Sequence, residues 1–166
     1  MKNFKFLPAS AEDFDQIYMM GYDVWAEGAP EAAYLADCHN SAKYKTGAWY
    51  KLVANTGELL ASMVVYNFDE IGGRSVCGFG SVATAMCERR KGYAQAMIEL
   101  ANHNYKNYDA IFLYSDINPA YYERLGFAIL PDSLQVSPDS VCMVKSEDSS
   151  LTDALLQAPD ELPTYF

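Results

Sequence analysis

The apolar positions of the chain change period several times, and each change marks an element. Residues 4–7 (FKFL) alternate and stop at Pro8, which reads as a short first strand. Ser10 then precedes Ala11-Glu12-Asp13, a capping-box-like helix start. Phe14, Ile17, Tyr18, Gly21, Val24 and Trp25 follow at steps of three and four. That spacing predicts one helix with a single apolar face, ending near Gly28, and puts Trp25 at a core position. Pro30 suits the first turn of a second helix running to about Tyr44. From residue 48 the period shortens. AWYKLVAN (48–55), ELLASMVVYNF (58–68) and SVCGFGSVAT (75–84) read as three strands separated by turns at Thr56-Gly57 and at 69–74, an antiparallel meander.

Helical spacing returns after Gly92, through Ala94, Met97, Ile98, Ala101, Tyr105 and Tyr108. AIFLYSD (110–116) is a buried strand, and Asp116, Asn118 and Pro119 signal another helix start, with Asp116 read as its cap. Gly126 stops that helix, and 127–130 and 140–146 read as two last strands. A strand–helix–strand unit from 75 to 116 implies one parallel pair inside a mainly antiparallel sheet. The expected class is therefore α/β of the α+β type, a mixed central sheet flanked by helices. No internal repeat or linker divides the chain, so residues 1–146 read as one domain. Residues 147–166 read as a tail, either a peripheral helix or a loose end.

Composition changes this picture in one respect. Half the residues are hydrophobic and thirteen are tyrosine, a globular make-up, but the formal net charge is −10. Such a field disfavours nucleic acid and anionic membrane as partners. An anionic ligand would need a local positive site, and three of the twelve basic residues stand together at Arg89-Arg90-Lys91. The four cysteines show no C-x-x-C and no Cys/His metal spacing, so no metal is expected and the thiols read as reduced. The first residues, MKNFKFLPASAEDF, carry no apolar signal core, and no run approaches the ~20 apolar residues of a membrane span. A cytoplasmic protein is the expectation.

Arg89 to Lys91 lead from a strand through Gly92 into a helix start. The first amides of a helix lack internal partners and carry the positive end of its dipole, so this turn is a physical anion site suited to a pyrophosphate. From charge alone, a solvated cluster at a turn fits equally. The stretch is not a Walker A loop, since no Lys-Ser/Thr follows Gly92, and it lacks the third glycine of a dinucleotide fingerprint.

VATAMCERRKGYA resembles the acetyl-CoA-binding signature of the GNAT superfamily of N-acetyltransferases, Q/R-x-x-G-x-G/A, through Arg89, Gly92 and Ala94. NPAYYERLGF (118–127) is similar to the family's later Y-x-x-x-G-F segment, through Tyr122, Gly126 and Phe127. The element order agrees with the family over about residues 4–146. The resemblance implies acetyl-CoA as co-substrate, with the parallel strand pair at its site. It also implies that backbone groups of Val82 and Thr84 pair with the pantetheine arm and that amides of Arg89, Arg90, Lys91, Gly92, Tyr93 and Ala94 wrap the pyrophosphate. Tyr122 would then protonate or hydrogen-bond the departing thiolate. Two positions depart from the family pattern: Met86 stands where a proline is usual, and Ser115 where an asparagine is common, so Ser115 is the expected cofactor contact there.

The implied reaction is direct attack of a primary amine, of a small molecule or peptide, on the thioester, and the acidic chain mildly favours a cationic amine. Asp23, Glu27 and Glu31, near the junction of the first two helices, are candidates to hold it. The base is not readable. Cys87 is a poor nucleophile candidate, because neither His39 nor His103 has a recognisable partner. A catalytically idle acyl-CoA-binding regulatory module is the alternative on the same fold, and a homodimer stays open.

Overall fold

The computed structural model describes residues 3–166. Its strands are β1 (Phe4–Pro8), β2 (Ala48–Ala54), β3 (Leu59–Asn67), β4 (Val76–Thr84), β5 (Ala110–Ser115), β6 (Ala128–Ile129) and β7 (Val141–Lys145). They hydrogen-bond in the order β1-β2-β3-β4-β5-β7-β6. β4 and β5 run parallel, with Val76 opposite Ala110 and Phe79 opposite Leu113, whereas β1–β2, β2–β3, β5–β7 and β6–β7 are antiparallel. The mixed, mainly antiparallel sheet and its one parallel pair are as the sequence predicts. The parallel pair exists because α5 (Tyr93–Asn104) is long enough to carry the chain back between the two strands.

The chain packs into two compact units, one of residues up to Val65 together with Ser81–Ala101, the other of Tyr66–Gly80 with Asn102–Phe166. In the first unit, β1 and β2 put opposite faces to different helices. Phe4 meets Tyr93 of α5 edge-on, with ring centres 6.3 Å apart. On the other face Trp49 meets Phe14 and Tyr18 of α1 (Phe14–Met19). Tyr44 stacks on Tyr18 and meets Trp49 edge-on, so four aromatic rings close this face. β3 is buried at eight of its nine residues, which is why its sequence is a continuous apolar run rather than an alternation.

The predicted first helix is broken. Ser10 and Asp13 do form the capping box, but it closes a 3-10 turn over Ala11–Asp13; α1 follows, and α2 (Tyr22–Trp25) is a separate single turn. Gly21 sits between them with Trp25 folded over it: a Cβ built on Gly21 would lie 1.9 Å from the Trp25 ring. Trp25 thus packs on backbone at the surface, 37% exposed, and Val24 is 64% exposed; neither enters the core as the period suggests. The second predicted helix divides as well, into α3 (Glu31–Asn40) and α4 (Ala42–Thr46). Ser41 leaves helical geometry at ψ 115 and its hydroxyl caps α4 by accepting the Tyr44 amide.

In the second unit Phe79 faces Tyr105 and Phe127. The opposite face of β4 is Gly78, and its missing side chain leaves room for the rings of Phe68 and Phe166, to which a Cβ there would come within 2.6 Å. Residues 147–166 include α7 (Leu151–Gln157), with Leu151 and Leu155 fully buried. Asp148, ahead of α7, accepts from both Ser150 and Arg74, and these bonds pull its carboxyl down to about 2. α5 ends at Asn104 rather than near Tyr108, because a turn from Tyr105 to Tyr108 takes the chain to β5.

Candidate functional site

The end of β4 departs from regular strand geometry. Ser81 has a φ of +46, outside the usual range for a side-chain-bearing residue, and its hydroxyl donates to the Tyr44 hydroxyl at 3.4 Å. Val82 and Thr84 are half-buried on either side of buried Ala83. The Ala85 amide bonds the Leu60 carbonyl at 2.9 Å, and a 3-10 turn over Met86–Glu88 leads away. Met86 is 66% exposed, so the turn forms without the proline usual at this position in the family the loop resembles.

Arg89 is then extended, Arg90 left-handed at φ +64 and Gly92 left-handed at φ +84, and α5 begins at Tyr93. Left-handed residues on either side of Lys91 alternate the hand of the backbone. Such alternation of φ is a feature of the backbone nests that bind anions in other proteins. The Gly92 carbonyl accepts the Ala96 amide at 3.0 Å, anchoring the loop to the helix. The first amides of a helix lack internal partners, so the start of α5 offers donors suited to a polyanionic group.

The three basic side chains behave differently from one another. Arg89 turns back: both its terminal nitrogens lie 2.7 Å from the two Asp23 oxygens, and it donates further to the carbonyls of Met20 at 3.0 Å and Thr84 at 3.3 Å. The Arg89 guanidinium holds the Asp23 carboxyl below its ordinary range, and Asp23 raises Arg89 in turn. Lys91 pairs with Glu88 at 3.1 Å. Arg90 is exposed and pairs with no acidic side chain among the described residues. Two of the three charges at this loop are therefore matched by neighbouring carboxylates.

Tyr122 lies on α6 (Ala120–Glu123), a single turn opened by Asn118, whose side chain accepts the Ala120 amide at 3.0 Å. The Tyr122 carbonyl accepts the amides of Leu125 and Phe127, at 2.9 and 3.2 Å. That closure needs Gly126 left-handed, at φ +94, and it buries Phe127. The Y-x-x-x-G-F spacing is thus a turn that fixes the tyrosine. The Tyr122 ring meets Tyr121 and Phe127 edge-on. Burial first, then the neighbouring Tyr121 and Asp116, push its phenol well above the ordinary value near 10.

Ser115 is buried and its hydroxyl donates to the Ile117 carbonyl at 2.8 Å. Asp116 accepts from Tyr165 at 3.1 Å and does not cap α6, a correction, because Asn118 makes that contact. Glu27, at φ +50, and Glu31, in the first turn of α3, are both exposed. His39 has a partner after all: its Nε2 lies 2.5 Å from Asp15. Sequence reading missed this pair, the Tyr44–Ser81 contact and the Arg89–Asp23 pair, since each joins residues far apart along the chain.

Among the described residues no cluster of His, Cys, Asp and Glu is arranged to hold a metal. None of the described helices is long and apolar enough to cross a membrane.

Residues 5–130 match the family model described as an acetyltransferase (GNAT) domain. Among curated proteins none matches significantly. Solved structures with the same fold include the histone acetyltransferase HPA2 and related acetyltransferase from Corynebacterium glutamicum, at 18% identity and TM-score 0.65 over 88% of this chain and 97% of that one. A GNAT family N-acetyltransferase (YhbS) from Escherichia coli, in complex with CoA, aligns at 16% identity and TM-score 0.66 over 92% and 86%. A GNAT family acetyltransferase from Brucella melitensis, in complex with acetyl-CoA, aligns at 16% identity and TM-score 0.55 over 86% and 88%.

Proposed function

Since the chain belongs to the GNAT acetyltransferase family, we propose that it transfers the acetyl group of acetyl-CoA to a primary amine of a small molecule or peptide by direct attack. The observation that carries this reading is the left-handed backbone at Arg90 and Gly92 directly ahead of α5, which supports an anion cradle made of backbone amides. The Escherichia coli and Brucella melitensis proteins of the same fold hold CoA and acetyl-CoA.

In this reading the amides of Arg89, Arg90, Lys91, Gly92, Tyr93 and Ala94 bind the pyrophosphate. Backbone groups of Val82 and Thr84 pair with the pantetheine arm, and Ser115 contacts the cofactor. The neutral amine attacks the thioester carbonyl, whose oxygen takes up the charge and is held by strand amides near Val82. The carbon–sulfur bond then breaks, the amide product forms, the nitrogen gives its spare proton to water, and the sulfur leaves as a thiolate.

Tyr122 supplies a donor for that thiolate. Its raised pKa keeps the phenol protonated through neutral and mildly alkaline solution, so the donor is present wherever the amine can be neutral. The phenol protonates the departing sulfur or hydrogen-bonds it. Glu27 and Glu31, exposed, are the carboxylates open to a cationic acceptor; Asp23, the third candidate, is already engaged by Arg89.

The test is free-thiol release with acetyl-CoA and a panel of amines, for wild type and Tyr122→Phe. The expected outcome is a kcat lower by about a hundredfold in the variant, with acetyl-CoA affinity retained. Equal kcat removes Tyr122 from the reaction. Tight acetyl-CoA binding without turnover of any amine makes the protein a regulatory acyl-CoA module.

A further inference from the structure

Arg89 occupies the first position of the pyrophosphate-loop motif, where a cation is naturally read as a phosphate ligand, and Asp23 was a candidate for holding an amine. The geometry sends both side chains elsewhere. The guanidinium makes two parallel bonds to Asp23, each 2.7 Å, the fork-to-fork pairing that gives arginine its directional specificity. Its remaining donors reach two backbone carbonyls. One belongs to Met20, just past the end of α1, and the other to Thr84, the last residue of β4. Four bonds from one planar group therefore join four segments of the first unit: the α1–α2 turn at Met20, α2 at Asp23, the end of β4 and the 86–94 loop.

A surface ion pair about a third exposed adds little to overall stability. It can still fix local geometry, because the guanidinium is planar and both carbonyls lie on its remaining edges. Arg89 is itself extended while the next residue is left-handed, so the direction of its side chain and the path of the following amides are set together. Releasing the guanidinium frees the residue from which the proposed cradle begins.

We propose that Arg89 and Asp23 form a brace that positions the 86–94 loop against α2 and the turn before it, Arg89 acting as a positioning residue and Asp23 as its anchor, rather than as a phosphate ligand and an amine ligand. The brace stands on the free protein's geometry; only its consequence for acetyl-CoA rests on the proposed function.

The test has two arms on the full chain. In the first, amide hydrogen exchange of the free protein is compared for wild type, Asp23→Ala, Asp23→Glu and Arg89→Lys. The brace predicts exchange about fivefold faster across 86–94 in Asp23→Ala, the scale of losing one exposed charged pair. It predicts the same in Arg89→Lys, since an ammonium cannot make the fork and both carbonyl bonds together. Exchange in β7 stays unchanged and Asp23→Glu recovers part of the protection. Unchanged exchange at 86–94 in Asp23→Ala overturns the brace.

In the second arm, acetyl-CoA affinity is measured for Asp23→Ala, Arg89→Ala and the double variant. The brace predicts a double variant no weaker than Arg89→Ala alone, because the two side chains act as one unit. Additive losses, or an Asp23→Ala effect confined to the KM for amine, overturn it. Wild type that binds no acetyl-CoA defeats the proposed function, and the exchange arm then still decides the brace.

Discussion

Gly92 is left-handed at φ +84, and a Cβ placed there meets nothing within 4 Å. The demand at this position is therefore conformational and not steric. Gly92→Ala should fold and lose about 1 kcal/mol, the strain of an L-residue in that region, readable as a small drop in melting temperature. Gly92→Glu should lose a similar amount of stability but place a carboxylate where the proposed pyrophosphate sits, and acetyl-CoA affinity should fall more than about tenfold. Calorimetric titration separates the two effects, and equal affinity in Gly92→Glu moves the cofactor away from this loop. At this scale the sequence was informative wherever neighbours in the chain make the geometry. Gly92 and the Tyr122–Phe127 turn were legible because each is closed by bonds over a few residues. Arg89 with Asp23, 66 positions apart, and His39 with Asp15 were not, since no local period records which distant side chain an ion will find.

A glycine also marks where the first predicted helix and the observed one diverge. The apolar spacing from Phe14 to Trp25 is continuous, so a period alone reads one helix; the break falls at Gly21, where the ring of Trp25, four residues on, lies on bare backbone, a contact that the period does not record. Gly78 in β4 is superficially the same case, with Phe68 and Phe166 against it. The two positions should nonetheless answer differently to a methyl group. Trp25 is partly in solvent and can swing away, so Gly21→Ala should leave stability within about 0.5 kcal/mol while exposing the indole further, seen as a red shift in emission. Phe166 is buried and packs against Phe68, Tyr66 and Tyr114, so Gly78→Ala should destabilise by about 1–3 kcal/mol, the usual penalty of overpacking. Chemical denaturation of both variants checks this, and the prediction fails if the order of the two is reversed.

Over the whole molecule, the order of strands and helices was readable because β3 and β5 are buried runs and α5 has a strong helical face; the division into two compact units was not, since its boundaries fall within β3, β4 and α5, where composition does not change. Charge has the same two levels. The chain carries a net −10, while the loop proposed to meet a polyanion contributes less local positive charge than its sequence suggests, because Glu88 and Asp23 match Lys91 and Arg89. Long-range repulsion should then govern the encounter with acetyl-CoA, and backbone amides the bound state. Repulsion over many ångströms is screened by salt, whereas amide hydrogen bonds at the loop are affected much less. The association rate should therefore rise as ionic strength goes from about 10 mM to about 150 mM, where the screening length shrinks from about 30 Å to about 8 Å, with the dissociation rate nearly constant. Stopped-flow association at several salt concentrations measures this directly. A rate that falls with salt would mean that Arg90 and its neighbours outweigh the field of the whole chain, and would return to Arg89 and Lys91 the steering role that their pairing takes from them.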